Sequence, residues 1–247
     1  TKSDTPTTVR FVEGEYRANR LKSMYPDNNF VDVGFAKLDP IFNGNAPKFD
    51  LESLGLDSLK KTLLYAPTFY PSSIERFPKK FPEDFKNFNI MIKPHYFSLS
   101  QEKYKKQRQL LEYWSLYDNV YLAKVTDYSI VPFLATADLL MSDASSVIIE
   151  FAALDKPVIW CNFLQLRWNY KGIFAYRFKN RMDKDYDEYS KIAVQSDSYK
   201  ELKHNIKEQL LNPTSLSETR LQYANKLAGL LDGKSSQRII DYLLKNY

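Results

Sequence analysis

The sequence predicts an α/β fold, a parallel sheet with helices on both faces and further helices at the C-terminus, and three observations predict it. Five short runs are apolar throughout rather than alternating: TLLYA at 62–66, NIMIK at 89–93, NVYLA at 119–123, DLLMS at 138–142 and PVIWC at 157–161. Helical periodicity fills the gaps between several of these runs, at 102–114, 130–137 and 145–154. Strands buried on both faces and separated by helices belong to right-handed parallel crossovers. The third observation is a closing set of helical segments at 198–211, 217–231 and 235–246, with Gly233 placed where one helix stops and the next begins.

Ahead of this rhythm the chain predicts a strand at 9–13, a helix at 16–24 and a second strand at 30–34. The segment LDPIFNGNAPKFD, about 39–50, is rich in Pro, Gly and Asn and breaks the pattern, so it serves as the predicted linker. The resulting division assigns residues 1–45 to the tail of a preceding domain plus linker, and 46–247 to a Rossmann-like nucleotide-binding domain. After Cys161 an aromatic and charged stretch, 167–190, carries no assignable period.

Composition narrows the class. At 247 residues, with 44% hydrophobic and 26% charged residues, the chain matches a globular domain, and no apolar run approaches the roughly 20 residues that span a bilayer. The opening TKSDTPTTVRF lacks an initiator Met, a cationic start and an apolar core, so it is expected to lie inside a longer protein rather than to be a secretion signal. The lone Cys161 can make no internal disulfide, which fits a reducing compartment. A net charge of +5 permits attraction to phosphates or an anionic membrane leaflet, but 35 basic against 30 acidic residues is too mild an excess to name a partner. The 18 Tyr and 16 Phe are spread along the chain and are expected in the core.

The chemistry is carried by Leu139-Leu140-Met141-Ser142-Asp143-Ala144-Ser145-Ser146-Val147-Ile148-Ile149-Glu150. A buried strand ends in small polar residues and a helix starts. The amide groups of the helix start, its positive dipole end and the hydroxyls of Ser145 and Ser146 then converge on one spot suited to a diphosphate. Glu150 falls four residues after Ser146 on the same helix face, about 6 Å along the axis. That offset matches the step from a nucleotide's phosphates to its ribose hydroxyls, which a carboxylate accepts as a pair. The competing reading makes Ser145 or Asp143 an ordinary N-cap and Glu150 a solvated helix residue. Lys93 and His95, two residues apart at a strand end, share a face and point to the same crevice at the carboxyl ends of the strands.

These residues also carry a family likeness. The run Ser142-Asp143-x-Ser145-Ser146-Val147, followed by Lys156-Pro157, resembles the donor motif of GT-B-fold enzymes, and above all that of the CDP-glycerol glycerophosphotransferases, the teichoic-acid polymerases and primases. Leu64-Tyr65-Ala66-Pro67-Thr68 resembles that family's first C-domain strand and turn. Ile92-Lys93-Pro94-His95 resembles its Lys-x-His strand end, and Asp232-Gly233-Lys234-Ser235-Ser236-Gln237-Arg238 its closing helix start. The resemblance implies the C-terminal, donor-binding domain of a GT-B enzyme that moves glycerol phosphate, a polyol phosphate or a sugar from a nucleotide diphosphate to a cell-surface polymer of teichoic-acid or capsule type.

In that frame His95 is the expected catalytic residue, its cationic form favoured by the diphosphate and stabilising the leaving phosphate. Thr68, Lys93, Asp143, Ser145, Ser146 and Glu150 are the expected donor ligands. Lys156 is expected in a solvated loop, Ser235 and Ser236 as helix caps with Arg238 able to approach the donor, and His204 on the surface. No metal and no cofactor are expected, because no Asp-x-Asp signature stands in a suitable place. The expected partners are the nucleotide donor and a polymer or lipid-linked acceptor, not nucleic acid, with the protein in the cytoplasm and in peripheral contact with the inner face of the membrane.

The likeness has gaps. The family's N-terminal Trp-His-Gly motif, whose histidine is the expected base, has no counterpart here, and residues 1–40 resemble only the tail of that domain, with Gly34, Lys37 and Asp39 in GFAKLD standing for Gly-x-Pro-x-x-Asp. The family's Thr-Phe-Arg is Thr68-Phe69-Tyr70. Two other functions fit part of the pattern: a UDP-N-acetylglucosamine 2-epimerase-like enzyme, whose Asp-Ser-Gly-Gly turn has a similar layout, and a non-catalytic nucleotide-binding module.

Overall fold

The computed structural model describes residues 7–143, 145–166 and 190–247. The expected parallel sheet is present. Six strands, β3 (Thr62–Tyr65), β4 (Asn89–Ile92), β5 (Val120–Leu122), β6 (Leu139–Ser142), β7 (Val158–Cys161) and β8 (Val194–Ser196), run in the order β5-β4-β3-β6-β7-β8 with every pairing parallel. All four residues of β3, β4, β6 and β7 are buried, as continuous apolar runs require.

Strand alternation sorts these residues onto two faces. Leu63, Tyr65, Ile90, Ile92, Leu139, Met141, Ile159 and Cys161 pack with Leu111 and Trp114 of α5 (Lys105–Trp114) and with Leu202 and Ile206 of α8 (Tyr199–Leu211). Leu64, Met91, Leu140, Val158 and Trp160 face the opposite core, with Phe133 and Leu134 of α6 (Val131–Thr136), Ile148 and Phe151 of α7 (Val147–Ala152), and Ala224 of α9 (Ser217–Ala228). The core expectation for the aromatic residues holds in part: Tyr65, Phe77, Phe81 and Trp114 are buried and meet mostly edge to face, whereas Tyr16, Tyr96, Tyr113, Tyr128 and Tyr247 are exposed. Cys161 is buried and in no disulfide.

The opening segment forms its own two-stranded parallel sheet, β1 (Arg10–Val12) with β2 (Phe30–Asp32), bridged by α1 (Glu15–Met24). The last helix, α10 (Ser235–Asn246), returns to it: Phe11 and Tyr242 meet edge to face at 5.5 Å, and Arg238 Nη1 donates to the Val33 carbonyl at 3.0 Å.

Two differences from the sequence reading stand out. The predicted linker starts with structure, a 3₁₀ turn at Ala36–Leu38 running into α2 (Asp39–Phe42), because Pro40 at the start of a helix supplies a suitable φ and needs no N–H donor there. Two short helices, α3 (Phe81–Asp84) and α4 (Tyr96–Ser100), and the edge strand β8 carry too few periodic residues to be recognised. The aromatic stretch without a period lies, except for its last residue, outside the described residues.

Candidate functional site

Strand order reverses direction between β3 and β6, and at such a switch point the connections leave toward opposite faces and open a crevice at the carboxyl ends of the strands. A cleft of about 360 Å³ lies there. Its walls come from the segments after β3 (Ala66, Thr68), after β4 (Lys93, His95), after β6 (Ser145, Ser146, Glu150) and from Lys37. Six of the seven expected site residues therefore meet in one place. Asp143 does not reach it.

The start of α7 forms one wall. Its N-cap is Ser146, in αR geometry and with no side-chain capping bond, so neither Ser145 nor Asp143 acts as the ordinary cap that the bland reading supposed. Ser145 is half-buried and Ser146 exposed toward the cleft. Glu150 is not a solvated helix residue. It is 2% exposed, and both its oxygens accept from Lys37 Nζ, at 2.8 and 2.7 Å, with Ser146 Oγ at 3.5 Å. The tertiary structure thus gives the carboxylate a cationic partner that the helix pattern did not show.

Lys93 and His95 form the opposite wall. Burial lowers the Lys93 pKa, partly offset by the charge of Asp127, and its ammonium makes no ion pair among the described residues. His95 caps α4: its Nδ1 accepts from the Phe97 amide at 3.1 Å, which leaves the ring proton on Nε2. The ring packs against Phe69 and Phe97, with centroids at 4.5 and 4.8 Å. Burial, then the Lys93 charge, holds its pKa below the ordinary histidine value. In the unliganded protein the neutral ring is therefore favoured and Nε2–H is the available donor; the cationic form is expected only beside a diphosphate.

Asp143, expected on the donor, is fully buried behind the cleft. Its carboxylate accepts from the Thr68 amide (3.1 Å), Ser72 Oγ (3.0 Å), the Ser73 amide (3.2 Å) and Ser73 Oγ. It therefore ties the loop after β3 to the end of β6 and holds Thr68 at the rim. Desolvation drives its pKa up to about 6 against the opposing pull of these hydrogen bonds. The Thr68 hydroxyl is itself used within the loop, donating to the Pro71 carbonyl at 2.6 Å.

Four further expectations meet the structure. Lys156, expected in a solvated loop, is not a loop lysine in water. It is half-buried and donates to the carbonyls of Leu134, Ala135 and Ala137 (3.1, 3.3 and 2.7 Å), closing the C-terminus of α6. Ser235 and Ser236 do not cap α10 with their hydroxyls; their amides donate to the Asp39 carboxylate at 3.0 and 2.6 Å. Arg238 pairs with Asp232 and Val33, away from the cleft. His204 is exposed, as expected. Among the described residues no group of three or more His, Cys, Asp or Glu is placed to hold a metal ion, and no helix is long and apolar enough to cross a membrane. The residue that sequence reasoning passed over is Lys37. Its signal was the Gly34-x-x-Lys37-x-Asp39 pattern, noted only as a domain tail.

Comparison with known proteins places this geometry. The family model for CDP-Glycerol:Poly(glycerophosphate) glycerophosphotransferase matches residues 8–245. A teichoic acid glycerol-phosphate primase of Bacillus subtilis (strain 168) is 24% identical over 241 residues, which is 94% of this chain and 56% of the primase. The primase of Bacillus spizizenii is 30% identical over 155 residues, 62% of this chain and 39% of that protein. The chain therefore spans about half the length of the curated relatives it matches. Among solved structures, the wall teichoic acid polymerase TagF superposes with a TM-score of 0.66 at 20% identity, covering 96% of this chain and 57% of the polymerase. A UDP-GlcNAc 2-epimerase from Neisseria meningitidis, bound to UDP-GlcNAc, gives 0.53 at 16% identity, covering 97% and 62%. These likenesses show the shared GT-B-type fold.

Proposed function

Because the chain belongs to the CDP-glycerol:poly(glycerophosphate) glycerophosphotransferase family, we propose that it is the donor-binding half of an enzyme that transfers glycerol phosphate from CDP-glycerol to a cell-surface polymer of the teichoic-acid type. The observation that carries this reading is the convergence of Thr68, Lys93, His95, Ser145, Ser146 and Glu150, from three separate strand ends, on one cleft at the switch point. Residues 1–45 are then the tail of the acceptor-side domain and 46–247 the donor domain.

The pyrophosphate lies between the start of α7 and the Lys93–His95 wall. Ser145 and Ser146 donate their hydroxyls to its oxygens, and Lys93 supplies the positive charge. Glu150 accepts from the ribose hydroxyls. An acceptor hydroxyl oxygen attacks the glycerol-bearing phosphorus, the bond from that phosphorus to the bridging oxygen breaks, and CMP departs with the electron pair. The acceptor's proton passes to a base on the acceptor side. His95 is the catalytic residue of this half: its Nε2–H, left as the donor because Nδ1 accepts from the Phe97 amide, stabilises the leaving phosphate as that group gathers charge, a contact that strengthens as the transition state forms. No metal or cofactor is required in this scheme. The nucleotide donor and a polymer or lipid-linked acceptor are the partners, and the reaction takes place at the inner face of the membrane.

Isothermal titration in EDTA tests the reading. CDP-glycerol and CDP are expected to bind, and UDP-N-acetylglucosamine to bind far more weakly. Silence toward both cytidine nucleotides refutes the donor site, and preference for the UDP-sugar moves the protein to the epimerase-like chemistry.

A further inference from the structure

Glu150 has a structural requirement that the nucleotide cannot meet alone. A carboxylate this enclosed is unfavourable unless a cation and hydrogen bonds satisfy it. Lys37 meets that need with contacts to both oxygens at 2.8 and 2.7 Å, from a position 113 residues earlier in the chain. The lysine side chain remains 43% exposed and lines the cleft, whereas the Glu150 side chain is only 3% exposed. An ionised carboxylate offers about four lone-pair directions. The ammonium engages each oxygen once and Ser146 Oγ lies 3.5 Å from Oε1, which leaves Oε2 a direction for a hydroxyl donor, and Oε1 one as well when the Ser146 hydroxyl turns to a phosphate.

Lys37 is itself held in place from both ends of its turn. On one side Gly34 adopts φ +81° and sits so close to α10 that a Cβ there would lie 2.5 Å from the Leu230 carbonyl oxygen and 2.7 Å from Ser235 Oγ. On the other, the Asp39 carboxylate receives the amides of Ser235 and Ser236 at the start of α10. The 3₁₀ turn between them, Ala36–Leu38, is thus anchored on the closing helix, and the position of the Lys37 backbone is set by contacts that do not involve the cleft.

We propose that Lys37 is a positioning residue: it holds the Glu150 carboxylate in the orientation that recognises the ribose hydroxyls of the donor, and ribonucleotide selectivity therefore depends on the segment Gly34–Asp39. This rests on the donor-site reading above, in which Glu150 faces ribose.

The test compares binding of CDP and 2′,3′-dideoxy-CDP by titration calorimetry to the wild-type chain and to K37M, K37R, E150Q and K37M/E150Q, with melting curves alongside. Wild type is expected to favour CDP by about tenfold or more, the equivalent of one to two hydrogen bonds. K37M is expected to lose that preference while binding the dideoxynucleotide within about twofold of wild type, a shift in selectivity that mere loosening of the fold does not produce. K37R should recover part of it. K37M/E150Q should bind CDP no worse than E150Q alone; this comparison decides the matter even if K37M, with Glu150 left unpaired, fails to fold.

A K37M variant that weakens both nucleotides equally, or a further loss in K37M/E150Q beyond E150Q, means that the ammonium acts on the phosphates and overturns the proposal. A wild-type protein that binds CDP without discriminating the dideoxy form overturns it as well. Failure of the wild type to bind CDP at all is a different result and refutes the donor site itself.

Discussion

Replacing Gly34 by Ala separates backbone strain from close packing, because Gly44 provides an internal control. Both glycines have left-handed φ values, +81° and +79°, but a Cβ at Gly44 meets nothing within 4 Å, while at Gly34 it meets a backbone carbonyl at 2.5 Å and a hydroxyl at 2.7 Å. An alanine in this region costs about 1–2 kcal/mol, offset by about 0.4–1 kcal/mol from the stiffer unfolded chain. Gly44→Ala should therefore destabilise by about 0.5–1 kcal/mol. At Gly34 the Leu230 carbonyl cannot rotate away as a side-chain tip would, and moving it adds about 1–3 kcal/mol. The net expectation for Gly34→Ala is about 1.5–4 kcal/mol, or roughly 3–16 °C in Tm for a chain of this size. Chemical denaturation of the two variants beside wild type measures the difference directly. Equal destabilisation by the two, within about 0.5 kcal/mol, refutes the claim that the Gly34 segment is pressed against the start of α10.

Three further outcomes follow from the site. The Asp143 carboxyl, with its folded pKa raised to about 6, keeps a proton that the unfolded chain releases, so its contribution makes stability fall as pH rises from about 4 to about 6. The limb amounts to at most about 3 kcal/mol and is isolated as the difference between wild type and Asp143→Asn across that window; parallel curves for the two disprove it. His95 has a depressed pKa in the free protein, and a bound diphosphate raises it, so donor binding should take up protons near and above the free value and weaken as pH rises through that range. Titration in buffers of different ionisation enthalpy reads this uptake, which His95→Gln should abolish; equal uptake in the variant assigns the proton elsewhere. Lys156→Met should destabilise by about 1–3 kcal/mol through the lost α6 cap while leaving CDP affinity unchanged, and a loss of affinity would return the lysine to the donor site.

Much of the architecture was legible because it is local. A four-residue run such as Leu139–Ser142 that is apolar throughout has only one economical place, between two neighbours with cover on both faces, and the helical repeats between runs set the crossovers. The short β8 and the helices at 39–42, 81–84 and 96–100 offered two turns of periodicity or fewer, too little for a pattern to register. For the site, the residue types and their order along the chain brought Lys93, His95, Ser145, Ser146 and Glu150 into view, since strand ends and helix starts are marked in the sequence.

The roles of individual residues were decided by pairings across the chain. Asp143 and Ser145 stand two positions apart in one motif, yet one is fully buried under four hydrogen-bond donors and the other lines the cleft. Glu150 has the spacing of a surface helix residue and is enclosed only because a lysine 113 positions away folds over it. By itself the sequence determined the sheet, its layering and the crevice at the carboxyl ends of the strands, since these follow from hydrophobic periodicity within a few residues of each position. Only the tertiary structure decided which polar groups face that crevice and which are spent holding it together, because burial and ion pairing depend on neighbours that no local pattern encodes.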